Sequence, residues 1–369
     1  MLRRIQFSDR MFYLEMKIKN GKVKQYSSIS YFTKMSAFIV ILCLFNIHFC
    51  FGQSLHIAKI KGITMVAPKS EFLNNPLTEI TAHNANWVSL VPFAFMRVGE
   101  TNLGYEKSWQ WWGETREGIR KSARLAKEEG LSVMLKPQVY VPGSWIGSVD
   151  FSTDKEWLEW EESYRAYIMS MIEIAIEEQI GMICIGTEIN YSIEKREEFW
   201  RQLITDIRQD YSGKLVYSAN WDSYKDVSVW DALDYVGISA YFPLSKTSTP
   251  SQRELLRKWR PIIQKLELFS DRVNKPILFT EFGYLSVDGC AHKAWELEKE
   301  VHQLNLNEEA QANAIDALFM AHWNQKYWAG GFLWKWFPNM QGHEGYPEKD
   351  YTPQGKKSAE VLKRWYARD

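Results

Sequence analysis

Two glutamates stand where an apolar strand would be leaving a protein's core. Glu188 closes "GMICIGTE" (181–188), and Glu281 follows a run of the same kind in "KPILFTEFGY" (275–284). Each comes directly after a threonine. Two carboxylates delivered to one place can share the work on a single bond. One protonates a leaving oxygen while the other attacks carbon or activates water, the division of labour in glycoside hydrolysis. A separation of about 5–5.5 Å gives retention of configuration, and about 6.5–9.5 Å admits the water of an inverting reaction. Either glutamate alone could equally cap a helix or pair with a basic side chain. The repeated Thr-Glu ending singles out the pair.

The elements that must position them alternate. Apolar strand-like runs occupy 58–67, 85–93, 131–139, 181–188, 214–220, 234–242, 275–284 and 330–337. Helix patterns lie between them. Tyr164, Tyr167, Ile168, Met171, Ile172 and Ala175 recur at three- and four-residue steps, and Leu255, Leu256, Trp259, Ile262, Ile263 and Leu266 repeat the pattern. "REGIRKSARLAKEEG" ends on Gly130, a helix C-terminal signal. Eight runs alternating with helices predict parallel strands buried on both faces. With no Pro/Gly/Ser-rich linker, residues 53–369 read as one α/β domain, a (β/α)8 TIM barrel. An open doubly wound sheet is the runner-up, but "KGITMVAPKS" lacks a glycine-rich phosphate turn. Segments 94–115 and 285–308 are long for strand-to-helix loops, the kind that carry function.

In such a barrel the C-terminal strand ends face the active site. The third run offers Lys136 and Gln138, the fifth Asn220, Trp221 and Asp222, the sixth Tyr241, the eighth Trp334 and Trp336. Trp109, Trp111, Trp112, Trp145 and Trp295 fall in loops. Flat indoles match the C–H faces of pyranose rings, while polar groups read the hydroxyls. Trp334 is the first candidate platform, and Trp336, two residues on and so on the same strand face, is the second. Trp112, Trp145 and Trp221 are further candidates. Lys136, Gln138, Asn220 and Asp222 are candidate hydroxyl partners, although Asp222 could instead cap the next helix.

Composition removes other classes. Residues 1–34 carry eight basic side chains against Asp9 and Glu15, and residues 35–54 hold no formal charge. That is the pattern of a secretory signal peptide ending near residue 52, which predicts a secreted or periplasmic protein. The start could also be Met16 or Met35. An uncleaved anchor, touching the membrane through this segment, is the alternative. Residues 53–369 hold 37 Lys and Arg against 43 Asp and Glu, no profile for nucleic acid. Cys184 and Cys290 alone make no disulfide framework, and the scattered histidines offer no metal-ligand spacing. No metal or other cofactor is implied, and a monomer is expected. All seventeen tryptophans follow residue 52.

The motifs "CIGTEI", "YSANWD", "DALDYVGISAYFPLS", "KPILFTEFGY" and "GGFLWKWF", in this order, resemble glycoside hydrolase family 113. The likeness runs from "KGITMVAP" to the end of the chain. Glutamates ending the fourth and seventh strands of a (β/α)8 barrel are the signature of the retaining glycosidases of clan A, to which that family belongs. The resemblance implies Glu188 as general acid/base, Glu281 as nucleophile and Tyr241 as a hydrogen-bond donor to Glu281. It implies β-1,4-mannan or manno-oligosaccharides as substrate. One position departs: most clan A enzymes have Asn before the acid/base, and here Thr187 stands there. Its shorter reach bears on recognition of the sugar 2-hydroxyl, so β-glucan, xylan and galactan stay open as substrates. A non-catalytic carbohydrate-binding barrel is the reading from outside enzymology.

Overall fold

The computed structural model describes residues 58–369. The basic lead, the uncharged segment and the boundary expected at residue 52 lie outside the described residues. Ten strands follow in chain order: β1 Ile60–Met65, β2 Trp87–Leu90, β3 Phe93–Phe95, β4 Ser132–Leu135, β5 Gln138–Tyr140, β6 Met182–Thr187, β7 Lys214–Asn220, β8 Tyr235–Ser239, β9 Ile277–Phe282 and β10 Trp328–Trp336. Eight of them close a parallel barrel in the order β1-β2-β4-β6-β7-β8-β9-β10. Each of the eight apolar runs supplies one barrel strand, so the (β/α)8 expectation holds. The short parallel pair β3 and β5 lies just past β2 and β4, beyond Pro92 and Pro137. Proline has no N–H for the ladder, so the strands break there.

The helical stripes pack as their spacing dictates. Helix Asp154–Glu177 buries Tyr164, Tyr167, Ile168, Met171, Ile172 and Ala175. Its start is fixed by Thr153, whose hydroxyl and the Glu156 carboxylate cap each other's backbone N–H. Helix Gln252–Val273 buries Leu255, Trp259 and Leu266. Past helix Arg116–Glu128, Gly130 takes φ +75°, a turn glycine makes without cost.

Two apolar layers result. Ile60, Met134, Met182, Cys184, Val216, Leu278 and Phe332 fill the barrel's interior. Ile183, Ile185 and their equivalents face outward into the larger helix-covered core. Alternation holds along β6 until its end. Between Cys184 and Thr187 the pairing with β7 gains one residue, and β9 gains one against β8 between Phe279 and Glu281. A third irregularity, between Trp334 and Trp336, loosens β10 against β1. An extra residue bends a strand and re-aims the side chains after it.

The barrel seam depends on Gly330. It has φ +127°, and an added Cβ would lie 2.2 Å from the carbonyl oxygen of Ile60. Backbone cannot yield there without opening the β1–β10 ladder. Gly330→Ala should therefore cost ~3 kcal/mol or more in urea unfolding. A variant as stable as the parent would show that the seam tolerates the displacement.

Candidate active site

At the C-terminal end of the barrel a cavity of about 760 Å³ opens, and Glu188 and Glu281 both line it. They arrive on β6 and β9, the fourth and seventh barrel strands, each just past a one-residue bulge. Thr187, Asn220, Trp221 and Asp222 share the lining, as do Gln138, Trp145, Tyr241 and Trp334.

Glu281 is 7% exposed and fully engaged. One oxygen accepts from the Lys136 ammonium and from Gln138 Nε2 at 3.0 Å. The other accepts from the Tyr241 hydroxyl at 3.0 Å. Burial and the adjacent Glu281 push the Tyr241 phenol well above its usual range, so it keeps its proton and donates. Charge and orientation of this carboxylate are thereby both fixed.

Glu188 is held differently. Its backbone is left-handed, φ +55°, with its N–H donating to the Ser218 carbonyl at 2.8 Å. A glutamate there is uncommon and costs about 1–3 kcal/mol, so the surroundings must hold it. Its carboxylate accepts from Trp145 Nε1 at 3.0 Å and has no basic partner in bonding range among the described residues. Burial first, and then the negative charge of Glu281, raise its pKa to about 7. The Ser239 hydroxyl and the Trp145 N–H oppose that rise without cancelling it. One carboxyl is kept charged and the other kept near neutrality, a pair of opposite tendencies that suits one nucleophile and one acid.

Three residues fall elsewhere than the sequence suggests. Lys136 is not presented to the cavity as a hydroxyl partner. It is fully buried, spent on Glu281, with the Trp334 ring centroid 6.0 Å from its nitrogen. Trp336 does not share a face with Trp334. The irregularity between them breaks the alternation, so it is 2% exposed in the outer core and packs against His83. Trp112, on a short 3-10 turn (Trp112–Glu114), packs edge-on against Phe72 and lines neither the catalytic cavity nor its neighbour. Conversely, Glu298 and Tyr351 line the cavity without having been singled out, Tyr351 meeting Tyr241 edge to face at 6.1 Å. Only the length of the 285–308 loop hinted at Glu298.

Comparison with known proteins agrees with this geometry. The model of Glycoside Hydrolase Family 113 matches residues 69–356. Among solved structures, the family 113 β-mannanase AaManA from Alicyclobacillus acidocaldarius, in complex with ManMIm, superposes with a TM-score of 0.72 at 26% identity. The match covers 84% of this chain and 97% of that one. A complex of a family 113 β-1,4-mannanase gives 0.71 at 26% identity, covering 84% and 99%. A β-glucuronidase from Ruminococcus gnavus shares the fold alone, with a TM-score of 0.54 at 15% identity over 83% of this chain and 50% of that one. No curated protein sequence matches the chain significantly.

The coupling between the two carboxyls is measurable directly. Glu281→Gln removes the neighbouring charge and leaves the Lys136 ammonium unpaired, and both changes favour an ionised Glu188. The Glu188 midpoint, followed by carbon NMR, should lie below that of the parent, in which burial and the Glu281 charge push it up to about 7. An unmoved midpoint would assign the whole shift to burial.

Proposed function

The chain belongs to glycoside hydrolase family 113, and from that premise we propose that it is a retaining β-mannanase. Its substrate is β-1,4-mannan or manno-oligosaccharides, cleaved by double displacement. The observation that carries this reading is the asymmetry of the two glutamates: Glu281 is bonded to Lys136, Gln138 and Tyr241, while Glu188 accepts from Trp145, has no basic partner, and is pushed up to about 7 by burial and by Glu281.

In the first half-reaction a Glu281 oxygen attacks the anomeric carbon while Glu188 gives its proton to the departing glycosidic oxygen. Glu281 then carries the sugar as an ester and has lost its charge. The Coulombic cause of the raised Glu188 pKa is gone, and the carboxylate left on Glu188 becomes the base. It takes a proton from water as that water attacks the anomeric carbon, and the ester bond to Glu281 breaks. Lys136 and Tyr241 stabilise the Glu281 carboxylate before attack and as it is released. Trp334, at the cavity wall, presents a ring face to the reacting sugar.

Thr187 keeps a second reading in view. It lines the cavity where most clan A enzymes place Asn, and its shorter side chain weakens a fixed contact to the 2-hydroxyl. Mannose differs from glucose at that carbon, so β-glucan, xylan or galactan is the alternative substrate. The charge pattern before residue 53 supports export to where such polymers are met. No helix among the described residues is long and apolar enough to cross a membrane.

Glu188→Gln and Glu281→Gln should each lower kcat on mannan about 1,000-fold or more; Glu188→Gln should unfold close to the parent, whereas Glu281→Gln, which leaves the buried Lys136 ammonium without its anion, should stay folded but unfold earlier. Full turnover in either variant overturns the assignment. Hydrolysis of cello-oligosaccharides in preference to mannan selects the alternative substrate. The acid must hold its proton before the first step. Since its pKa is raised to about 7, the active form is complete below that pH and is lost as pH rises through it. The alkaline limb of kcat/KM is accordingly expected near pH 7, and a limb several pH units higher would remove Glu188 from the acid role.

A further inference from the structure

Three large rings back the strand end that delivers Glu188, and each has a polar tip. Tyr164, on helix Asp154–Glu177, Trp200, on helix Glu197–Asp210, and Tyr217, on β7, are all buried. Trp200 stands between the other two, meeting Tyr164 edge-on at 5.5 Å and Tyr217 at 5.4 Å. They press on the backbone itself: a Cβ added to Gly186 would lie 2.7 Å from the Trp200 ring and 2.9 Å from the Tyr217 ring. None of the three lines the catalytic cavity. Packing alone would be served by phenylalanine or leucine, since a hydroxyl or indole N–H in a dry core is costly unless bonded.

All three polar tips are bonded, and to one short stretch of chain. Tyr164 donates its hydroxyl proton to the Ile185 carbonyl at 2.8 Å. Ile185 lies within the bulge, between the pairs Cys184–Val216 and Thr187–Ser218. The Tyr217 hydroxyl accepts from the Ile189 N–H at 2.9 Å, and Ile189 leads into the short helix Asn190–Lys195. Trp200 donates from Nε1 to the Ser192 hydroxyl at 3.1 Å, in that same helix. Glu188 is thus bracketed, one bond falling ahead of it and two behind. Burial lifts both phenols well above their usual range, so each keeps its proton.

Glu188 needs such a bracket. Its left-handed φ of +55° is disfavoured for a glutamate. Its carboxylate accepts from Trp145, a loop side chain that is itself 43% exposed. We propose that Tyr164, Trp200 and Tyr217 are positioning residues for the proton donor. They fix the backbone on both sides of Glu188, and so fix where its carboxyl meets the leaving oxygen. A misplacement of about 1 Å is enough to slow a reaction about 100-fold. Their part in catalysis rests on the acid role proposed above for Glu188.

Leaving groups separate a misplaced acid from general damage. Phenol departs from a glycoside only with the help of a proton donor, whereas 2,4-dinitrophenolate leaves unaided. Tyr217→Phe and Tyr164→Phe keep the rings and remove one bond each, and either decides if the other fails to fold. Aryl β-mannobiosides are the substrates, or the cellobiosides if the parent prefers them. Each variant should lower kcat/KM on the phenyl glycoside about tenfold and change the 2,4-dinitrophenyl glycoside about twofold at most. Tyr211→Phe is the matched control. Tyr211 is buried and donates to the Ile180 carbonyl at 2.8 Å, at the opposite end of β6 from Glu188. Its loss should lower the midpoint of urea unfolding, yet change both substrates about twofold at most. Equal losses on the two glycosides, no loss on the phenyl one, or the same selective loss in Tyr211→Phe overturn the proposal. If the parent cleaves neither glycoside, the enzymatic reading falls and the bracket is judged on Glu188 alone. The Glu188 midpoint by carbon NMR should then move in Tyr217→Phe and hold in Tyr211→Phe, and equal midpoints overturn the positioning role.

Discussion

The ion pair of Lys136 and Glu281 at the top of the barrel sets the terms for the rest of the site. Lys136 is fully buried, and an ammonium out of water is tolerable only beside an anion. Glu281 is that anion, and its remaining acceptor positions go to Gln138 and Tyr241. A carboxylate so bonded stays charged. Its charge then reaches Glu188 across the cavity and, added to burial, keeps that carboxyl near neutrality. The second glutamate has no cation of its own to reverse the effect. Removing Lys136 would thus alter both carboxyls, although it touches one.

Backbone irregularity gives these charges their aim. In a regular strand alternate side chains enter the barrel, and the interior of this one is apolar. Inserting one residue between Cys184 and Thr187, and another between Phe279 and Glu281, turns the strand ends out of that pattern. The hydroxyls of Ser218, Ser239 and Thr280 form a small polar layer there, with Ser218 bonded to Thr280 at 2.6 Å and to Ser239 at 3.1 Å. It lies between dry core and reactive mouth. The left-handed backbone at Glu188 belongs to the same device, since a continued strand would not place its carboxylate beside Trp145.

The sequence made the frame legible because hydrophobic period encodes it. Seven of the eight barrel strands lie within apolar runs and the last, Trp328–Trp336, begins two residues ahead of its run, while the stripes at Tyr164–Ala175 and Leu255–Leu266 mark helix faces that do pack inward. Both glutamates could be located because a charge ending such a run conflicts with it. What period cannot encode is a bulge: two-residue spacing puts Trp336 on the face of Trp334, and the irregularity between them turns it to the other. Nor can spacing sort the indoles of "WQWW". A 3-10 turn sends Trp112 onto Phe72 and leaves Trp109 and Trp111 at a cavity. A lysine after an apolar run does not name its partner, so the sequence does not distinguish a sugar ligand from the ion pair that Lys136 makes with Glu281.

The tryptophans at the two extremes of burial have different causes. Trp160, Trp200, Trp259 and Trp328 are fully buried and belong to the barrel's packing. The strongly exposed aromatics among the described residues are Trp109, Tyr140, Trp145, Tyr191 and Trp295, and every one lines a cavity. Trp109 and Tyr140 lie in a second cavity of about 500 Å³, Trp295 in the catalytic one. Tyr191 lies in a third of about 250 Å³, which meets the catalytic cavity at Trp145. Exposed rings scattered at random would not all fall along one connected line of cavities. The barrel mouth is a furrow that holds both carboxylates and is lined along its length by exposed aromatic rings.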